Sequence, residues 1–156
     1  MIDKQGEYRI LTINPGSTST KIAIFDDEEP VLEKNIQHSE LDLSEFDKVW
    51  DQYEFRKRMI VENLQMNGIE IESLSAVVGR GGLLRPVVSG TYNINKVTLS
   101  DARAAVQGEH ASNLGCILAF GIAFEVPIAT IVSPITASDT PRFAAMSRSC
   151  SCPASR

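Results

Sequence analysis

Residues 14–21 read Asn-Pro-Gly-Ser-Thr-Ser-Thr-Lys and stand between two apolar runs, 8–13 and 22–25. Two strand-like runs joined by Pro-Gly turn chemistry fold back on each other as a β-hairpin. The tip of that hairpin carries four consecutive hydroxyls, Ser17, Thr18, Ser19 and Thr20, followed by Lys21. Gly16 has no Cβ, so a ligand can approach the backbone closely. Hydroxyls and backbone N–H groups donate to phosphate oxygens, and Lys21 supplies a neutralising charge. The tip is therefore a candidate phosphate cradle. It is not a Walker A loop, which needs Gly-Lys-Ser/Thr at the opening of a helix. Read locally, the same residues also serve as an ordinary polar turn, because Asn-Pro-Gly is good turn chemistry in its own right.

The length, 156 residues, suits one domain, and a 43% hydrophobic content is enough to build a core. A net charge of −5 argues against nucleic acid as a partner. No apolar run reaches the ~18 residues of a membrane span. Residues 1–9 are polar, with no secretory signal, so the cytoplasm is the expected compartment. Cys116 sits in an apolar pattern and reads as core. Cys150 and Cys152 form a lone Cys-x-Cys with no second ligand pair, which is too little for a metal site.

Strands are expected over 8–13, 20–25, 31–37, 75–78, 91–95 and 128–132. A helix is expected over 46–67, where Phe46, Val49, Trp50, Tyr53, Ile60 and Leu64 share one face and Arg56 is assigned to water. Gly68 is placed to end that helix. Ser100 is the expected N-cap of a helix over 101–107, and a more apolar helix runs from the 108–113 block to about residue 124. Early antiparallel strands followed by strand–helix alternation give an α/β domain with a mixed sheet.

Two more polar clusters, 79–85 and 108–113, fall at strand ends or between elements, where α/β sheets gather ligands. Arg80 lies among glycines and can hold a carboxylate or phosphate through two parallel hydrogen bonds. Capping a helix or pairing with a surface acid is its alternative use. His110, with Glu109, Ser112 and Asn113, marks a polar helix start and a candidate site. His38 is assigned to a solvated loop. No nucleophile–base pair is evident.

Three stretches resemble butyrate kinases, in the family's order: ILTINPGSTSTKIAIF over 10–25, VGRGGLL over 78–84 and GEHASNLG over 108–115. These kinases form part of the acetate and butyrate kinase group, within the superfamily of sugar kinases, heat-shock chaperones and actin. The resemblance spans about residues 8–132. It implies a ribonuclease H-like (actin-like ATPase) lobe and phosphoryl transfer from ATP to butanoate, giving butanoyl phosphate. It also implies Mg²⁺ at Asn14 and a phosphate-binding turn of Gly16, Ser17, Thr18, Ser19 and Lys21. It makes Arg80 the carboxylate or acyl phosphate holder, with Gly81, Gly82 and Asn113 at the substrate, His110 near the cleft, and a homo-oligomeric assembly.

Two departures stand out. Family members carry an aspartate where this chain has Ser133, and they are much longer. Residues 142–156 hold three Arg and no acid, against a net −8 in the residues before them. The expectation is therefore an N-terminal lobe over 1–141, an aberrant and disordered tail over 142–156 from a frameshifted or truncated gene, and an absent second lobe. Weak or absent turnover follows, since closure of the second lobe supplies much of such catalysis. Two rivals stand beside this reading: a non-catalytic nucleotide-binding or oligomerisation module, and a kinase for another short-chain carboxylate.

Overall fold

The computed structural model describes residues 6–88, 90–123 and 129–133. Residues 142–156, with Cys150 and Cys152, lie outside them. Strand β1 (Arg9–Pro15) pairs antiparallel with β2 (Ser19–Asp26), which pairs antiparallel with β3 (Glu29–Gln37). Strand β4 (Ala76–Arg80) runs parallel to β1, and β6 (Ala129–Ser133) parallel to β4. The short β5 (Tyr92–Asn93) closes the far edge, giving the order β3-β2-β1-β4-β6-β5. The mixed sheet expected from the element order is present. Its parallel connections carry helices, as crossovers of this kind require.

Alternation sets the faces of the hairpin. Leu11 and Ile13 on β1, and Ile22 and Ile24 on β2, are buried. Thr12 and Asn14 point to the opposite face. The short α1 (Glu40–Ser44) follows β3, and against the buried face lie α2 (Tyr53–Met66) and α4 (Leu114–Ala123). Ile60 and Leu64 of α2 meet Leu118 and Ile122 of α4 in one core with the sheet. Helix α2 ends as expected at Gly68, whose φ of 69° is left-handed backbone that glycine adopts freely. The aromatics Trp50 and Tyr53 pack at the margin of the core rather than within it.

Helix α3 departs from expectation. It spans Lys96–Ala104, and its N-cap is Asn95, whose side-chain oxygen accepts from the N–H groups of Val97 and Thr98 at 2.9 Å each. An asparagine that satisfies two orphan amides outcompetes Ser100, which sits inside the helix. Asp101, expected to favour a helix start, is instead buried against Arg85 at 2.7 Å.

A close backbone-to-backbone contact joins β4 to α4. A Cβ on Gly79 would overlap the carbonyl of Gly115, and a Cβ on Gly115 would overlap the carbonyl of Arg80. Helix and strand backbones thus touch directly, beside Arg80. Gly115→Ala should lower unfolding free energy by about 3 kcal/mol, the upper range for overpacking. Gly16→Ala has only contacts of 3.5 Å or more to meet, and should lose far less. Urea unfolding of both variants checks the contrast.

Candidate functional site

Strand register gathers the first two sequence clusters. Asn14 pairs with Lys21 across the hairpin. The parallel register that sets Ile13 beside Gly79 brings Asn14 next to Arg80, whose Nη1 lies 3.5 Å from Asn14 Oδ1, the long limit of a hydrogen bond. Arg80 in turn pairs with Ser133 in register. Lys21, Asn14, Arg80 and Ser133 thus form a row across four adjacent strands, β2-β1-β4-β6. The row lies at the C-terminal ends of the parallel strands, where open α/β sheets bind ligands. Lys21 is exposed, and Asn14 and Arg80 are half-buried. Two cations and a carboxamide facing solvent from a rigid sheet are suited to an anion.

The hairpin tip, Gly16 to Thr18, stands beside that row. Gly16 N–H donates to the Ser19 carbonyl at 2.7 Å, and Ser17 and Thr18 are exposed. Beneath the tip lies Arg56, which is wholly buried and not, as its charge suggests, turned to water. Its Nη1 donates to the carbonyls of Gly16 (2.9 Å) and Ser19 (3.1 Å) and to Thr20 Oγ1 (3.0 Å). Its Nη2 donates to the Ser17 carbonyl (3.0 Å), and Gln52 Oε1 accepts from both Nε and Nη2. Burial without a carboxylate partner lowers its pKa to about 10, which leaves it charged at neutral pH.

His38 braces the other side. It is buried rather than solvated, because the N–H that follows β3 donates to the Thr18 carbonyl at 2.9 Å and draws the ring under the tip. His38 Nε2 lies 2.8 Å from Thr20 Oγ1, and the ring meets Phe55 edge-on at 5.3 Å. Nδ1 is buried without a hydrogen-bond partner among the described residues. Burial, and then the nearby Arg56 charge, lower the His38 pKa from 6.5 to about 4, against a smaller opposing pull from Asp42.

The 108–113 block supports the glycine loop after β4. A Cβ on Gly82 would overlap Asn113. Asn113 is buried, and its Oδ1 accepts from Leu83 N–H at 2.8 Å while its Nδ2 donates to the Gly108 carbonyl at 2.9 Å. Both polar atoms of its amide are thus committed within the chain. His110 is exposed at the start of the block, and its Nδ1 accepts from Ser112 N–H at 3.1 Å. In the neutral ring the proton then sits on Nε2. Glu109 Oε1 accepts from Val49 N–H at 2.8 Å, tying the block to the segment before α2. No hydrogen bond among the described residues joins His110 to the row of Asn14 and Arg80.

Arg56 and His38 are the residues that sequence reasoning misplaced. A signal for Arg56 existed: it precedes Ile60 by four and Leu64 by eight, so it shares their buried stripe. His38 has a weaker signal: it follows buried Ile36 by two, the period of one strand face.

Butyrate kinase 1 of Clostridium acetobutylicum is 51% identical over 133 residues, covering 85% of this chain and 38% of that protein. Over these residues the chain is similar to a butyrate kinase, as its three motifs implied. It spans well under half the length of that relative. No protein-family model matches. Among solved structures, an acetate kinase from Entamoeba histolytica superposes with a TM-score of 0.52 at 14% identity, over 83% of this chain and 36% of that one. A propionate kinase from Francisella tularensis gives 0.50 at 18% identity, over 81% and 36%. These likenesses agree with the actin-like ATPase fold that the motifs implied. No helix among the described residues is long and apolar enough to cross a membrane.

The unfolded chain takes up a proton on His38 near 6.5, and the folded chain only near 4. Between those values the unfolded state holds more protons, so stability falls as pH drops through the window, by about 3 kcal/mol in all. Urea unfolding from pH 7 to pH 4 should show that loss. His38→Asn should be less stable at pH 7 and flatter across the window.

Proposed function

We propose that the row of Lys21, Asn14 and Arg80, with the hairpin tip beside it, is the phosphate and carboxylate half of a butyrate kinase site, for the reaction ATP + butanoate → ADP + butanoyl phosphate. The observation that carries this reading is the convergence of two separate motifs, 14–21 and 78–84, on one sheet edge, Asn14 Oδ1 lying 3.5 Å from the Arg80 guanidinium.

The chemistry suits the residues. Phosphoryl transfer asks for positioning and charge neutralisation rather than a covalent intermediate. The tip hydroxyls of Ser17, Thr18 and Ser19 donate to phosphate oxygens, and Lys21 neutralises them. Arg80 orients the carboxylate by its two parallel N–H groups. A carboxylate is already ionised at neutral pH, so its oxygen attacks the γ-phosphorus as ADP leaves, and no general base takes a proton. For that reason Ser133, in place of the family's aspartate, removes a charge near the transferring group without removing a required proton acceptor. Gly81 and Gly82 keep the backbone beside Arg80 open, and Asn113 holds that loop. His110, at the exposed start of its block, has an Nε2–H to offer a phosphate oxygen.

Mg²⁺ is the expected companion of the nucleotide. Among the described residues no group of three or more His, Cys, Asp or Glu gathers to hold a metal. Asn14 offers one neutral oxygen beside two cations, which does not fit a metal held by the protein itself. Such a donor set accords with Mg²⁺ that arrives on the phosphates with most of its waters.

The described residues read as one lobe, the cytoplasm as its compartment and a homo-oligomer as its assembly. A binding or oligomerisation module without turnover is the competing function. Calorimetric titration of the 156-residue chain with MgATP and with butanoate, and a coupled assay for acyl phosphate, separate the two. Lys21→Ala should weaken MgATP binding with little effect on butanoate, and Arg80→Ala should do the reverse. Loss of neither in folded variants would overturn the assignment.

A further inference from the structure

We infer that Arg56, a residue the reaction chemistry does not call on, is the positioning residue of the phosphate-binding tip. This inference rests on the phosphate reading above. The guanidinium reaches three carbonyls of the turn, those of Gly16, Ser17 and Ser19, within 3.1 Å. With those C=O groups drawn inward, the N–H groups of Ser17 and Thr18 are left without a partner among the described residues, at exposed positions. A turn with its carbonyls tied down and its amides outward is an anion-binding concavity.

The charge has a second effect. Arg56 is wholly buried, and its partners are carbonyls, a hydroxyl and the Gln52 amide; no carboxylate among the described residues pairs with it. A cation in a low-dielectric interior, left uncompensated directly beneath a turn, attracts an anion on the turn's outer side more strongly than a surface lysine does. The fork matters as well as the charge. Five N–H groups in one plane reach the turn and Gln52 together, and an ammonium on a flexible stem cannot reproduce that arrangement. His38 and Thr20 complete the brace, the Thr20 hydroxyl bridging Arg56 Nη1 at 3.0 Å and His38 Nε2 at 2.8 Å.

The test uses the full chain, inorganic tripolyphosphate as the probe, and amide hydrogen exchange of residues 16–20 without ligand. Thermal unfolding shows which variants are folded. Arg56→Gln should bind tripolyphosphate on the order of tenfold more weakly, the effect of a lost hydrogen bond to a charged group. Its tip amides should also exchange faster. Arg56→Lys should recover part of the affinity, through charge, while the tip still exchanges fast. Should Arg56→Gln not fold, Arg56→Lys carries the test. A folded Arg56 variant matching wild type in both readouts overturns the inference and leaves the proposed function standing. A wild-type chain that binds neither tripolyphosphate nor MgATP overturns the proposed function and the anion role together, while the exchange data still decide whether Arg56 orders the tip.

Discussion

One buried guanidinium organises the functional end of this fold. Arg56 comes from α2, yet its hydrogen bonds go to the connection between β1 and β2, some forty residues earlier in the chain. Burying an ion is costly unless its hydrogen-bonding capacity is filled. Here it is filled by the carbonyls of a turn whose own backbone has few partners. Each side removes the other's deficit: the turn gains an anchor, and the cation gains acceptors. The tip can therefore stay polar and exposed without losing its shape.

The same economy runs through the rest of the site. A glycine pair, Gly79 and Gly115, lets α4 lie directly on β4, which places the Arg80 backbone against a helix instead of leaving it on a free loop. Asn113 then closes the loop after β4 through Leu83 and Gly108. Strands thus carry Lys21, Asn14 and Arg80, and the loop after β4 is pinned by a side-chain amide. Sites held this way keep their geometry better than sites on free loops.

Much of this was legible in the residues. The hairpin, the short apolar strand before Arg80, the end of α2 at Gly68 and the apolar α4 all follow from periodicity and turn chemistry. The failures share a cause. Polarity places Arg56 and His38 in water, yet both are buried, because groups distant in sequence hold them: turn carbonyls for Arg56, the Thr18 carbonyl and the Thr20 hydroxyl for His38. Ser100 lost to Asn95 because cap preference alone does not say which of two candidates reaches two amides.

The local order of strands and helices, the polar tip on its hairpin and the family kinship were determined by the sequence itself, since each depends on neighbours within a few residues or on motif identity. Only the tertiary structure decided that Lys21, Asn14, Arg80 and Ser133 share one row, because that depends on the register of β4 with β1 and with β6, strands far apart in sequence. Tertiary structure also decided what supports the tip. A buried charge is stable only where acceptors converge on it, and three of those that meet Arg56 are backbone carbonyls, which residue identity does not encode.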